Sequence, residues 1–584
     1  VLMFYALCNN ASAQKTVLLT IIPVDKTNSM LNGLKLQTSF PSITTCLQYV
    51  HQMPAQLASQ GYISASVDSM KQDSSSIKIH LFVGEKYTWS NLRMDENTWQ
   101  VLNTLGYHKD WFDTKPFDPQ KVNVVYNQLL DYYASNGYPF AKIFLDSILI
   151  NNASISAKLH VDKGFIYHID SIRVFGNLKI SQDFLHRYLD IPDHDIYNAS
   201  KLEKINALLL ALPYAQQTKA WDITMLGSGA ILNLYLQPKH SNEINALIGF
   251  LPANEQLGGK LLLTGEVDLN LKNSFGFGEN IGVNWQQLQP GSPKLNLLFQ
   301  RPYLFHSPFG FDFNFSLYKL DSSYLNINTQ IGLMYALSAR QSWKVLLQLA
   351  SSTVLNVDTL QVIATKELPA VADVSSTNLG VEYDLNNTNY PFNPRSGNAL
   401  QFFVSAGQKN IKENNTIVQI KDTSFNYAQL YDTVKLKSYQ FRVRVSATHY
   451  FPVGKQATVK TAVNAGVYQS SSYFNNELFQ IGGYKLLRGF DEESIFANRY
   501  AVGTLEYHYL LGQNSYFFGF SDVGEAHYQS GLVNFSHTYI GVGFGLAFET
   551  KTGIFNITYA IGKTDGSNFS FQQSKIHLGF VTVF

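Results

Sequence analysis

Tyr439-Gln440-Phe441-Arg442-Val443-Arg444-Val445-Ser446-Ala447-Thr448-His449-Tyr450-Phe451 alternates strictly. Tyr439, Phe441, Val443, Val445, Ala447 and Phe451 fall on one side of an extended chain; Gln440, Arg442, Arg444, Ser446 and Thr448 fall on the other. The run predicts a strand of about 13 residues, whereas strands of soluble domains average about five or six. A strand crossing a bilayer needs about 9–11. A soluble sandwich would alternate too, so it is the length that points to a membrane wall. Lys260–Asn270 repeats the pattern, with Leu261, Leu263, Val267 and Leu269 opposite Lys260, Thr264, Glu266, Asp268 and Asn270.

Working outward, sixteen such segments fit into residues 241–584, near 243–251, 258–270, 276–288, 292–302, 308–319, 324–338, 342–356, 376–386, 397–408, 437–451, 456–468, 500–511, 515–523, 537–549, 552–563 and 574–584. An even count suits a bacterial barrel. If the first strand runs outward, every second connection is an inner turn. Those are mostly short (Ala339–Gln341, Pro452–Lys455, Lys551), while the outer loops 357–375, 409–436 and 469–499 are long. The chain closes on a strand in which Ile576, Leu578 and Phe580 share a face and Phe584 is last. A terminal aromatic of this kind is the signal by which an outer-membrane barrel is recognised for insertion.

Composition agrees. Charged residues make up 15 % of the 584, the formal net charge is +1, and 40 Phe, 34 Tyr and 39 Gly dominate. Disordered chains are charge-rich and aromatic-poor, and a nucleic-acid binder carries a basic excess. No stretch of 18 apolar residues offers a transmembrane helix, so membrane crossing falls to a closed sheet. There is no HExxH, no P-loop and no nucleophile elbow. Gly541-Val542-Gly543-Phe544-Gly545 lies in a predicted strand and cradles no phosphate. The sequence therefore predicts neither an enzyme nor a cofactor. Val1–Ala13 reads as the tail of a secretory signal peptide, with Ala11-Ser12-Ala13 before Gln14. Cys8 lies inside it, and Cys46 sits on an apolar helix, so neither a disulfide framework nor a metal cluster is expected.

Residues 15–240 read differently, as three α+β repeats of roughly 70–80 residues. The first has a helix near Thr45–Ser59, then strands Gly61–Val67 and Ile77–Gly84. The second has Asp118 as N-cap and Pro119 at the first helical position, with Val122, Val125, Leu129 and Tyr133 on one face. Strands Tyr138–Ile150 and Ser154–Val161 follow. The third opens with strand Ile169–Phe175, continues with a helix capped by Asn198 and carrying Leu202, Ile205, Leu209 and Leu212, and ends with strands near 218–225 and 229–237. Such sheets leave an edge that either pairs with an extended peptide or is blunted in a mere spacer.

Leu487-Arg488-Gly489-Phe490 lies in the predicted sixth outer loop. On this tetrapeptide and its position the chain resembles the BamA/TamA-type outer-membrane assembly and transport superfamily, whose sixth loop carries Val/Ile-Arg-Gly-Phe. Phe520-Ser521-Asp522-Val523-Gly524 is similar to the family's F-x-D-x-G, Arg301-Pro302-Tyr303-Leu304 to its R-P-Y-L turn, and Tyr383-Asp384 with Asn393-Pro394-Arg395-Ser396-Gly397 to its D…NP-x-x-G turn. At both turns Pro blocks ladder extension. The resemblance implies POTRA domains at 14–88, 89–166 and 167–240 after a leader remnant at 1–13, then a sixteen-stranded barrel at 241–584. It implies that loop six folds into the lumen as a clamp of Arg488, Gly489, Phe490, Glu506 and Asp522, in which Arg488 meets the two acids and Gly489 lets the backbone approach the wall. Glu506 shares its strand face with Thr504 and His508, while Tyr516, Phe518 and Phe520 share the parity of Asp522.

The function implied is insertion of unfolded outer-membrane proteins from the periplasm. POTRA domains capture the client, and a seam of Ile244, Ala246 and Gly249 against Leu578, Gly579, Phe580 and Phe584 templates its strands. Accessory periplasmic or lipoprotein subunits and outer-membrane lipid are the other expected partners. A two-partner secretion channel is the alternative; that branch carries two POTRA units and a plug helix, whereas three repeats point to the TamA-like arrangement. A diffusion porin lacks both the repeats and the Arg-Gly-Phe loop.

Overall fold

The computed structural model describes residues 16–227, 229–251, 262–289, 291–338, 340–390, 392–531, 533–550 and 552–583. The expected signal segment 1–13 with Cys8, Lys260 and Leu261, the expected turn residues Ala339 and Lys551, and Phe584 lie outside them. Two compact units result. One runs to Ser171 and includes Asp193–Glu203 and Ile223–Ile231; the other holds Ile172–Pro192, Lys204–Asp222 and Leu232–Phe584.

In the first repeat Ser42 caps the helix Ile43–Ser59, its Oγ accepting from the Thr45 N–H at 3.2 Å. Cys46, Val50, Met53 and Leu57 follow at one-face spacing and are buried in a core with Ile77, Ile79 and Leu81. The strand expected at Gly61–Val67 starts only at Ser66. Gly61 takes φ +102°, and Ala65 N–H donates to the Tyr62 carbonyl at 3.1 Å, so Tyr62 and Ile63 belong to a turn. In the second repeat Asp118 caps Pro119–Ala134 by accepting from Gln120 N–H at 2.9 Å, and Val125, Leu129 and Tyr133 are buried. Its sheet pairs Thr88–Arg93, Ser154–Asp162 and Lys142–Asn151 in that order, leaving Lys142–Asn151 at an edge. That strand begins four residues after Tyr138, because Tyr138–Ala141 closes a turn at 3.3 Å. In the third repeat the helix expected after Asn198 is two, Ala199–Leu202 and Ile205–Ala211; its axis breaks at Glu203-Lys204, yet Leu202, Ile205, Leu209 and Leu212 are all buried.

Sixteen antiparallel strands close a barrel. They are β1 (Glu243–Leu251), β2 (Leu262–Lys272), β3 (Asn280–Gln289), β4 (Ser292–Arg301), β5 (Phe309–Leu320), β6 (Tyr324–Ser338), β7 (Gln341–Val354), β8 (Asp373–Asn386), β9 (Gly397–Lys412), β10 (Lys437–Val453), β11 (Ala457–Ser470), β12 (Arg499–Leu510), β13 (Tyr516–Ser530), β14 (Val533–Thr550), β15 (Gly553–Thr564) and β16 (Lys575–Val583). Alternation sorts the two faces. Val345, Leu379, Val463, Leu505 and Phe544 point outward and are more than half exposed, an apolar belt of the kind a bilayer-spanning barrel carries. Charges point inward. Lys344 Nζ lies 2.6 Å from Glu382, 2.9 Å from Asp384 and 3.4 Å from Asp312, a buried cluster across three strands.

β13 runs to Ser530, seven residues past the expected end. Gly524 looks like a strand terminus in sequence; in space it makes room for Leu487, whose Cδ1 would sit 3.2 Å from a Cβ there. The long loops are folded rather than open. Helix Thr359–Thr365, the turns Asn415–Val418 and Tyr427–Thr433, and Phe474 share a buried cluster of Val362, Ile417, Tyr427, Leu430 and Tyr431. On the opposite side the Arg301–Leu304 turn does more than stop a ladder. Tyr303, at φ +55°, packs its ring 5.7 Å from Phe184 of the helix Gln182–Tyr188, and His306 Nε2 lies 3.0 Å from Asp183 Oδ1.

Candidate functional site

The sixth loop, between β11 and β12, turns inward as a hairpin, Phe479–Ile481 against Ile495–Ala497. Gly482 and Gly483, at φ +107° and +111°, let the chain reverse. At the tip Leu487 is fully buried, and Arg488 is 8 % exposed.

Arg488 meets both acids predicted for it. Its Nε and Nη2 donate to Asp522 Oδ2 and Oδ1 at 2.8 and 2.9 Å, and its Nη1 donates to Glu506 Oε2 at 2.6 Å. Its backbone N–H also donates to Asp522 Oδ2, at 2.9 Å. The two-pronged contact uses the planar fork of guanidinium. The acids are held in turn. Thr504 Oγ1 donates to Asp522 at 2.8 Å, His508 Nε2 lies 2.5 Å from Glu506 Oε1, and Lys460 lies 3.8 Å from Glu506 Oε2. Two cations thus face two buried carboxylates, the setting in which removing one partner is costly.

The aromatic parity around Asp522 has a direct explanation. Phe518 and Phe520 point inward with Asp522, and the guanidinium carbon of Arg488 lies 3.5 Å from the Phe520 ring centroid. The Gly541-Val542-Gly543-Phe544-Gly545 run has a role that motif reading missed. A Cβ on Gly541 would lie 1.9 Å from the Arg488 carbonyl oxygen, and one on Gly545 would lie 2.2 Å from Phe518. Gly489, at φ +95°, rests against Ile561, while Phe490 packs over Gly562 and at 5.3 Å from Tyr539. The loop lies flat on the wall because Gly541 and Gly562 carry no side chain beneath it, while Gly543 and Gly545 make room for the rings of Phe520 and Phe518. Asn393 of the β8–β9 turn extends the network, its Oδ1 3.2 Å from His508 Nδ1.

The seam residues are brought together by β1 and β16. Ile244 pairs with Thr582, Ala246 with Phe580, Leu247 with Gly579, Ile248 with Leu578 and Gly249 with His577. Among the described residues no group of three or more His, Cys, Asp or Glu is placed to hold a metal ion.

Residues 273–579 match the model of the Omp85 superfamily domain. Among solved structures the chain is similar to CdiB from Acinetobacter baumannii (14 % identity, TM-score 0.51) and CdiB from Escherichia coli (13 %, TM-score 0.50), each match covering 93 % of this chain and 98 % of the other. BamA from Haemophilus ducreyi lacking POTRA domains 1–3 aligns at 14 % identity over 85 % of this chain and 100 % of its own, with a TM-score of 0.48. No curated protein matches in sequence. With more than half its length under the family model, the chain belongs to the Omp85 superfamily of outer-membrane barrels that insert or translocate proteins.

Proposed function

We propose that this chain inserts and folds outer-membrane proteins, in a TamA-like arrangement of three periplasmic repeats followed in sequence by the barrel. The repeats hold an unfolded client. The β1–β16 seam then parts, and its edges template the client's strands by backbone pairing. The step is non-covalent.

The observation that carries the reading is the seam. β1 and β16, at 9 residues each, are the shortest barrel strands as described, against 18 in β14. Their register runs from Glu243↔Val583 to Gly249↔His577, as short as the neighbouring β15–β16 ladder from Ile554↔Val581 to Ala560↔Lys575, whereas β13 and β14 pair from Tyr516↔Ala547 to Ser530↔Val533. Antiparallel pairs alternate between bonded and non-bonded, so the seam holds roughly 6–8 backbone hydrogen bonds, about half of the longer ladder. Gly249 and Gly579 add no cross-strand side-chain packing. The second repeat supports capture. Its edge strand Lys142–Asn151 exposes Ile148, Leu149 and Ile150, an apolar stretch suited to strand addition.

A dedicated translocation channel is the second reading. It is supported by the CdiB likeness and by a luminal cavity of about 1040 Å³ lined by Lys344, Asp312, Gln348, Arg442 and Arg444. Depleting the protein and quantifying the outer-membrane proteome separates the two. Insertion predicts the loss of several barrels; translocation predicts the loss of one exported protein with the barrels intact.

A further inference from the structure

The seam is held by more than its own ladder, because loop six reaches both of its flanks. On the β2 side Lys485 Nζ lies 2.6 Å from Glu266 Oε1, and Glu493 pairs with Lys294 of β4. On the β16 side Asp491 Oδ1 lies 2.5 Å from Lys575 Nζ, and the Tyr484 ring lies 5.2 Å from the His577 ring. Register puts these contacts at the level of the seam. Glu266 pairs with Leu247, Leu247 with Gly579, and His577 with Gly249. Tyr484 N–H donates to Glu492 Oε2 at 3.0 Å and ties the two arms of the loop together. Arg488 lies midway, three residues from Lys485 and three from Asp491.

We propose that loop six is a staple across the seam. Lys485 and Asp491 are positioning residues that hold β2 and β16 to one luminal loop, and the seam parts only when one arm releases. The inference rests on the reading that the seam opens, and deepens it by naming what keeps it shut. The chemistry suits a latch. Each arm joins a shielded charge to a wet one: Glu266 is 6 % exposed against 61 % for Lys485, and Lys575 is 13 % exposed against 52 % for Asp491. Solvent screening makes each pair weaker than a buried one. Yet release leaves a shielded charge without its counter-ion, which favours closing again. Glu266 keeps donors from Asn284 and Gln286, at 2.6 and 2.9 Å, so it stays in place when Lys485 leaves. Because Arg488 sits between the arms, a pull that frees it from Asp522 strains both arms together.

Hydrogen exchange on the full chain in lipid nanodiscs tests this without any client. Lys485→Ala with Asp491→Ala should speed exchange of amides 243–249 and 577–583 by about tenfold, the factor for roughly 1.4 kcal/mol of local stability. The β7–β8 ladder should keep its parent rate. Lys485→Glu with Glu266→Lys, which reverses the pair, should restore the parent rate at the seam relative to Lys485→Glu alone. Lys485→Gln serves where the double variant does not assemble. Seam exchange within about twofold of the parent overturns the staple, as does equal acceleration at β7–β8 or a reversed pair that fails to restore. Client insertion is measured separately. Insertion by the parent with unmoved seam exchange removes the staple and leaves the insertion reading; faster seam exchange in a protein that inserts nothing does the reverse.

Discussion

Replacing Arg488 with Ala removes the side chain that joins loop six to β12 and β13. Three charge-assisted bonds are lost, at 2.8 and 2.9 Å to Asp522 and 2.6 Å to Glu506, together with the stacking on Phe520. Breaking a buried pair from one side costs about 3–5 kcal/mol. The lower end applies here. Asp522 keeps the backbone N–H of residue 488 and Thr504 Oγ1, and Glu506 keeps His508 and Lys460. About 3 kcal/mol shifts the balance between docked and released loop by roughly a hundredfold. Arg488→Lys keeps the charge but not the fork, and should fall between parent and Ala. Protease cleavage within 482–494, thermal unfolding in detergent, and insertion of an unfolded barrel into liposomes read the loop, the fold and the activity in turn. An Arg488→Ala protein that matches the parent in all three refutes the clamp.

Gly541→Val should displace the loop by a different route, because its Cβ meets the Arg488 carbonyl at 1.9 Å; the same cleavage assay should show released loop at a cost of about 1–3 kcal/mol, typical of overpacking. Leu149→Pro, on the exposed edge of the second repeat, should lower crosslinking to an unfolded client while leaving barrel unfolding unchanged, since Pro removes a ladder donor at an edge. Asp95 gives a pH signature in the helix Glu96–Thr104. Burial pushes its carboxyl up, but the Thr98 N–H and Oγ1, both at 2.8 Å, outweigh that and hold it below the usual range. The cap's contribution of about 0.5–2 kcal/mol is therefore full above the unfolded-state value near 3.9 and drains away as pH falls through the lower folded one. Protection factors in residues 96–104, which divide out the intrinsic pH dependence of amide exchange, should be level from pH 7 to 5 and fall below about pH 4, and Asp95→Asn should flatten that fall.

The barrel was legible because lipid outside and polar side chains inside force a period of two on every strand, as in Phe441-Arg442-Val443-Arg444. Strand ends were less so. Gly524 ends the apparent alternation in β13, yet it only vacates space for Leu487, a residue far away in sequence. The inner placement of Phe518 and Phe520 looked anomalous because a strand pattern carries no record of a guanidinium brought in by a loop. The small core of the outer loops, built from Val362, Ile417 and Tyr431, follows neither helical nor strand spacing, so periodicity could not find it. Arg488, Glu506 and Asp522 were readable as a set through the tetrapeptide and its place in the sixth loop, whereas the pairs Lys485 with Glu266 and Asp491 with Lys575 carry no motif and meet only in three dimensions.

Ala246 and Phe580 face each other across the seam, so Ala246→Cys with Phe580→Cys allows it to be shut by oxidation. The most direct measurement is the rate at which this protein, in liposomes, inserts an unfolded barrel before oxidation, after it, and after reduction. Arrest on oxidation with recovery on reduction is the result expected if clients enter between β1 and β16; undiminished insertion through a crosslinked seam contradicts it.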